Sequence, residues 1–104
     1  MNSDKKFDIK HTRKLFKEYD EVRSRLFSRA EEIWLALKGE LPYFNFEDVE
    51  FLKPDRICFH YQSVNLMGED VWRSFGFPVH WLNIDSDDIK KEYEKSDNKR
   101  LVYF

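Results

Sequence analysis

The stretch Arg56–Asn83, RICFHYQSVNLMGEDVWRSFGFPVHWLN, constrains the fold more than any other part of the chain. In Arg56–Ser63 apolar and polar residues alternate, the two-residue period of a half-buried strand. Ile57, Phe59 and Tyr61 point one way, and Arg56, Cys58, His60 and Gln62 the other. After a loop around Asn65–Asp70, where Gly68 can take a positive φ, Val71, Arg73, Phe75 and Phe77 alternate with Trp72, Ser74 and Gly76. Two such segments across a short loop predict an antiparallel hairpin. Pro78 cannot donate to a ladder, so the second strand ends there and Val79–Leu82 forms a corner.

Upstream, from Thr12 to Lys38, Leu15, Phe16, Tyr19, Val22, Leu26, Phe27, Ala30, Ile33, Trp34 and Leu37 recur at three- and four-residue steps. This spacing predicts one long amphipathic helix, capped by Thr12 or Asp8 and stopped by Gly39 and Pro42. Its apolar stripe is broad and aromatic, which suits cover over a sheet better than a coiled-coil seam. Tyr43–Leu52 reads as a loop and a short strand closed by the turn Lys53-Pro54-Asp55. Beyond the corner, Ser86 is the expected N-cap of a short helix with Asp87 and Asp88 in its first turn and Ile89 and Tyr93 facing inward. Leu101–Phe104 is apolar enough to dock on the body as an edge strand.

The expected architecture is therefore α+β: a long N-terminal amphipathic helix packed on a small antiparallel sheet of three strands, then a short C-terminal helix. The 104 residues suit a single domain, with residues 1–10 as a flexible N-terminus. A hydrophobic fraction of 41% with 17% aromatics excludes a disordered chain. Lys and Arg number 18 against 20 Asp and Glu, a net charge of -2, so the molecule is not a polycation that would coat nucleic acid. Cys58 is the only cysteine, which rules out an internal disulfide and fits a reducing cytoplasm. No segment carries the roughly 18 apolar residues of a membrane span.

The reactive residue types do not assemble into a familiar centre. Cys58 and His60 stand two apart on one strand, so their Cβ atoms lie roughly 7 Å apart and their side chains project in parallel. Cys58, His60, His80 and Asp85 lack the paired spacing of zinc ligands, and no metal or cofactor is expected. Gly39, Gly68 and Gly76 lie too far apart to build a phosphate loop. Arg73-Ser74-Phe75-Gly76-Phe77 partly echoes the aromatic RNA-binding motif of RRM domains, but Ser74 stands where glycine is wanted and Pro78 cuts the strand short. The remaining binding candidates are Arg56, His60, Gln62, Trp72 and Ser74 on the polar face, with Arg73 beside them. An antiparallel sheet commonly leaves one face wet, so this face is either plain solvated surface or a shallow docking surface rich in the residue types that dominate interfaces.

The strand end Phe77-Pro78-Val79-His80-Trp81-Leu82 resembles a pattern in small accessory proteins of bacteriophages and related mobile elements, in which a strand closes with Phe-Pro-x-x-Tyr/Trp-Leu. The resemblance covers only about the second half of the hairpin. It implies a structural role for the aromatic and the leucine, tucked under the proline corner, and it transfers no functional residue. It also implies a context, the host cell cytoplasm, and a mode of action: adhesion to a partner, including host defence machinery such as CRISPR effectors, or sequestration of a signalling nucleotide. The leading expectation is thus a non-enzymatic protein that docks on a protein partner. The alternative is a small anionic ligand or signalling nucleotide held by Arg73, Arg56 or lysines at an oligomer interface, and the third is a nucleic-acid-associated accessory role. A two-fold homodimer through an edge strand is compatible with any of them.

Overall fold

The computed structural model describes residues 8–15, 20–95 and 102. Among the described residues it is α+β, with three α-helices and a three-stranded antiparallel sheet. Helix α1 spans Ile9–Leu15 and α2 Asp20–Lys38; strands β1 (Asp48–Leu52), β2 (Arg56–Val64) and β3 (Asp70–Pro78) follow, then a 3-10 turn over Val79–Asn83 and helix α3 (Ser86–Glu94). The sheet order is β1-β2-β3, a plain meander in which each strand pairs with its sequence neighbour.

The expected single long helix is described as two segments, α1 and α2; Phe16 and Tyr19, which carried part of its stripe, lie outside the described residues. Helix already begins at Ile9, inside the segment expected to be a flexible tail. Asp8, not Thr12, caps it: the Asp8 carboxylate accepts the His11 N–H at 3.2 Å, and the Asp8 carbonyl the Thr12 N–H at 2.8 Å. In α2, Asp20 and Glu21 occupy the first turn, where the helix dipole favours negative charge. Leu26, Ala30, Ile33 and Trp34 form its buried stripe. Gly39, at φ 81°, takes the left-handed conformation that ends the helix.

That stripe lies on one sheet face. Val49, Ile57, Phe59, Tyr61, Phe75 and Phe77 are buried there with the helix residues, as the alternation requires. Aromatic edges and faces knit the layer: the Trp34 ring meets Phe44, Tyr61 and Phe75 edge-on at 5.1, 6.1 and 5.1 Å, and Phe44 stacks on Tyr61 at 3.7 Å. Arg23 ties α2 to the start of β1, donating to the Glu47 carbonyl at 2.9 Å and approaching the Asp48 carboxylate at 3.4 Å.

At the corner, Pro78 keeps an extended conformation, φ -62° and ψ 137°, and the chain then coils once. Trp81 and Leu82 tuck inward, Trp81 stacking on Phe77 at 6.1 Å. The indole N–H of Trp81 finds no acceptor among the described residues. Ser86 does not cap α3. The N-cap is Asp85, without a side-chain cap bond, and the Ser86 hydroxyl instead accepts from Arg29 at 3.0 Å. Of the tail expected to dock as an edge strand only Val102 is described; it is buried in the core cluster and is not in a strand.

Candidate functional site

The candidate site is the sheet face turned away from α2, together with the free end of the β2-β3 hairpin. Register decides who meets whom: His60 lies opposite Ser74, Gln62 opposite Trp72, Cys58 opposite Gly76 and Arg56 opposite Pro78. On the other side Asp48 faces His60 and Glu50 faces Cys58. Arg56, Cys58, His60, Gln62, Trp72 and Ser74 therefore do share one face, and Glu50 joins them.

The face is not uniformly wet. Cys58 is only 3% exposed, and Gly76 and Pro78 are buried beside it, so the corner end of the face is closed and Cys58 belongs to packing. At the opposite end Gln62 is exposed and Trp72 keeps 61% of its surface in solvent. Between them stands a three-residue relay. His60 Nδ1 and Ser74 Oγ share a hydrogen bond of 2.9 Å, and His60 Nε2 meets Glu50 Oε1 at 2.7 Å. A carboxylate can only accept, so Nε2 carries its proton toward Glu50, and in the neutral ring Nδ1 is left as the acceptor for the Ser74 hydroxyl. A serine hydroxyl, an imidazole and a carboxylate thus line up across β3, β2 and β1, the order of groups in a hydrolytic triad but with the two ring nitrogens exchanged.

The ladder phase explains this contact and exposes a further group. Asn65 N–H donates to the Glu69 carbonyl at 2.9 Å and Val79 N–H to the Asp55 carbonyl at 2.9 Å, which fixes the odd-numbered pairs of the hairpin as the hydrogen-bonded ones. His60 and Ser74 are then a non-hydrogen-bonded pair, the closer of the two kinds. For the same reason Trp72, Ser74 and Gly76 direct their main-chain N–H groups away from β2, toward an edge on which no described strand pairs.

The hairpin end is apolar at its tip. Asn65 builds the turn, its side-chain oxygen accepting the N–H groups of Met67 at 2.9 Å and Glu69 at 3.0 Å, and Gly68 sits at φ 80°. The turn leaves Leu66 and Met67 exposed to solvent. Val64 and Trp72 are exposed on one side of the ribbon, diagonal neighbours on the same face. Tyr43 is exposed on the other, its hydroxyl 3.0 Å from Ser63 Oγ. A cavity of about 270 Å³ lies beside it, lined by Tyr43, Phe44, Gln62, Ser63, Val64 and Asp70.

Two of the candidate residues do not belong to this constellation. Arg73, paired with Tyr61, projects from the helix-side face. Arg56 sits six residues from Gln62, roughly 20 Å along the strand, at the closed end. The two guanidiniums therefore do not converge on one anion. Burial pushes the Tyr61 phenol above its ordinary value of 10.0, against the opposing pull of the Arg73 charge, with the neighbouring Tyr43 adding to the rise. Among the described residues no three of His, Cys, Asp and Glu converge as metal ligands, and no helix is long and apolar enough to cross a membrane.

Sequence reasoning missed Glu50, Tyr43, Leu66 and Met67. The alternation of β1 with β2 held the signal for Glu50, but only the register of the Lys53-Pro54-Asp55 turn says which β1 carboxylate reaches His60. Comparison with known proteins finds no matching family model, no matching curated protein and no matching solved structure.

Proposed function

We propose that the chain is a docking protein that engages a protein partner through the free end of its β2-β3 hairpin and the adjoining open half of the sheet face. The observation that carries this reading is the concentration of exposed large apolar side chains at one place: Val64, Leu66, Met67 and Trp72, with Tyr43 on the reverse side. A monomer surface tolerates single exposed apolar residues, whereas several large ones gathered at one hairpin end, a Trp among them, are what interfaces use as anchors. Glu69 and Asp70 border the apolar tip, so the fitting partner presents an apolar recess rimmed by basic groups. The resemblance of the Phe77–Leu82 corner to mobile-element accessory proteins supplies the most concrete partner class, host defence machinery such as a CRISPR effector.

The test is inhibition of a panel of purified CRISPR effector complexes by the intact chain, with binding to each complex measured in parallel. The expected result is a stable complex with one of them, weakened at least tenfold by Trp72→Ala or by Leu66→Ser with Met67→Ser, while the thermal unfolding of the free protein is unchanged. Full inhibition by both variants removes the hairpin end from the interface. Absence of binding across the panel removes the counter-defence form of the proposal.

A further inference from the structure

We propose that the Glu50–His60–Ser74 relay makes Ser74 an activated nucleophile for acyl transfer from small activated esters, a reactivity separate from the docking role of the hairpin tip. Four observations support it together. The Ser74 hydroxyl is held 2.9 Å from His60 Nδ1, within proton-transfer reach. The Glu50 carboxylate, 2.7 Å from Nε2, holds the tautomer that leaves Nδ1 free to accept and stabilises the imidazolium that forms. The main-chain N–H of Ser74 points out of a sheet edge on which no strand pairs among the described residues, so the nucleophile's own amide is placed for an oxyanion, as in serine-protease oxyanion holes. Trp72, two residues away on the same face and 61% exposed, offers a stacking surface for an aryl leaving group.

The relay is reachable, because the His60 side chain is 27% and that of Glu50 49% exposed. Ser74 Oγ attacks the ester carbonyl carbon while its proton passes to His60 Nδ1, and the tetrahedral oxyanion takes the Ser74 N–H. The bond to the leaving oxygen then breaks, His60 returns the proton to the departing alcohol, and an acyl-Ser74 ester remains. Water, deprotonated by the same Nδ1, cleaves that ester and restores the hydroxyl. One amide donor and an open face set a modest rate. The substrate class is accordingly an activated aryl ester, not an amide. Ser74 and His60 are the catalytic residues, and Glu50 is a positioning residue.

The experiment labels the intact protein with an alkyl fluorophosphonate, in which Ser74 Oγ bonds to phosphorus and fluoride leaves, and follows p-nitrophenyl acetate hydrolysis. The expected result is a single adduct mapped to Ser74 and turnover that falls on the order of 10²-fold in Ser74→Ala or His60→Gln. Glu50→Gln lowers kcat and displaces the pH profile with little change in KM, which a merely structural role would not do, and Trp72→Ala raises KM for aryl esters alone. Ser74→Cys keeps the side-chain shape and carries the reactivity to iodoacetamide, so the proposal remains testable if the alanine variant folds poorly. Leu66→Ser with Met67→Ser leaves both readouts intact, which separates this proposal from the docking reading. Equal hydrolysis by wild type and Ser74→Ala, or label scattered over tyrosines without Ser74, overturns it.

Discussion

Arg29 and Trp81 are joined through the main chain: the Arg29 guanidinium donates to the Trp81 carbonyl at 3.0 Å while the Trp81 side chain is sealed in the core. Arg29 also donates to the carbonyls of Leu82 at 3.0 Å and Ile84, to Ser86 Oγ at 3.0 Å, and pairs with Glu32 at 2.9 Å. A 3-10 turn leaves its last carbonyls without helical partners, and here one planar fork satisfies several of them at once. The corner after Pro78 is therefore held from α2 as well as by its own Ile84 N–H to Trp81 carbonyl bond of 3.3 Å.

Arg29→Ala is expected to destabilise the domain by about 2–4 kcal/mol, because charge-assisted bonds are lost and part-buried carbonyls are left unpaired. Arg29→Lys is expected to recover less than half, since an ammonium cannot reproduce the fork. Urea unfolding of the three proteins measures this. Equal midpoints for Lys and wild type would show that charge alone, not geometry, holds the corner.

Two tryptophans on opposite faces of the sheet should behave oppositely. Trp34 is 8% exposed and is ringed by Phe44, Tyr61 and Phe75, so Trp34→Ala is expected to cost about 3–5 kcal/mol. Trp72, mostly in solvent, should change stability by no more than about 0.5 kcal/mol when replaced by alanine. Thermal unfolding of both variants checks the assignment of faces. A strongly destabilised Trp72→Ala would place Trp72 in the folded core instead of on a binding surface.

Strand alternation made the β2-β3 hairpin legible, since a period of two sends Phe59 and Phe77 to one side and His60 and Ser74 to the other, whatever packs against them. The corner was legible for a similar reason: proline lacks the N–H that a ladder needs. Three features were not legible. Whether Ser86 caps a helix or serves Arg29 depends on a residue 57 positions away, and no local preference encodes that contact. Cys58 reads as a surface residue on pattern alone, yet it is closed in beside Gly76, which has no side chain to hold neighbours off. The relay through Glu50 depends on the register across a turn, and a slip of one residue would point Glu50 into the core.

Gly68 is required by conformation, not by space. Its φ of 80° is left-handed, and an added Cβ would meet nothing within 4 Å. Gly68→Ala is therefore expected to cost about 1 kcal/mol from backbone strain, and Gly68→Asn less, because asparagine tolerates the left-handed region. Denaturant unfolding measures both changes. A neutral alanine variant would mean that the turn can relax into a right-handed form without disturbing the Asn65 bonds to Met67 and Glu69.

Tyr61 is expected to make the fold less stable at alkaline pH. Burial raises its phenol above 10.0, so between the unfolded value and the higher folded one the native state holds a proton that the unfolded chain has released. With more protons bound when folded, stability must fall as pH rises through that interval, and the contribution is complete below pH 10.0. Tyr61→Phe retains the ring that stacks on Phe44 at 3.7 Å and removes the titrating group. The expected outcome is a stability curve that declines less steeply above pH 10.0 than the wild type's, followed by urea unfolding at closely spaced pH values, with the ultraviolet absorbance of tyrosinate tracking the titration. Parallel declines in the two proteins would show that Tyr61 ionises in the folded state as readily as in the unfolded one, and that the Arg73 charge offsets its burial.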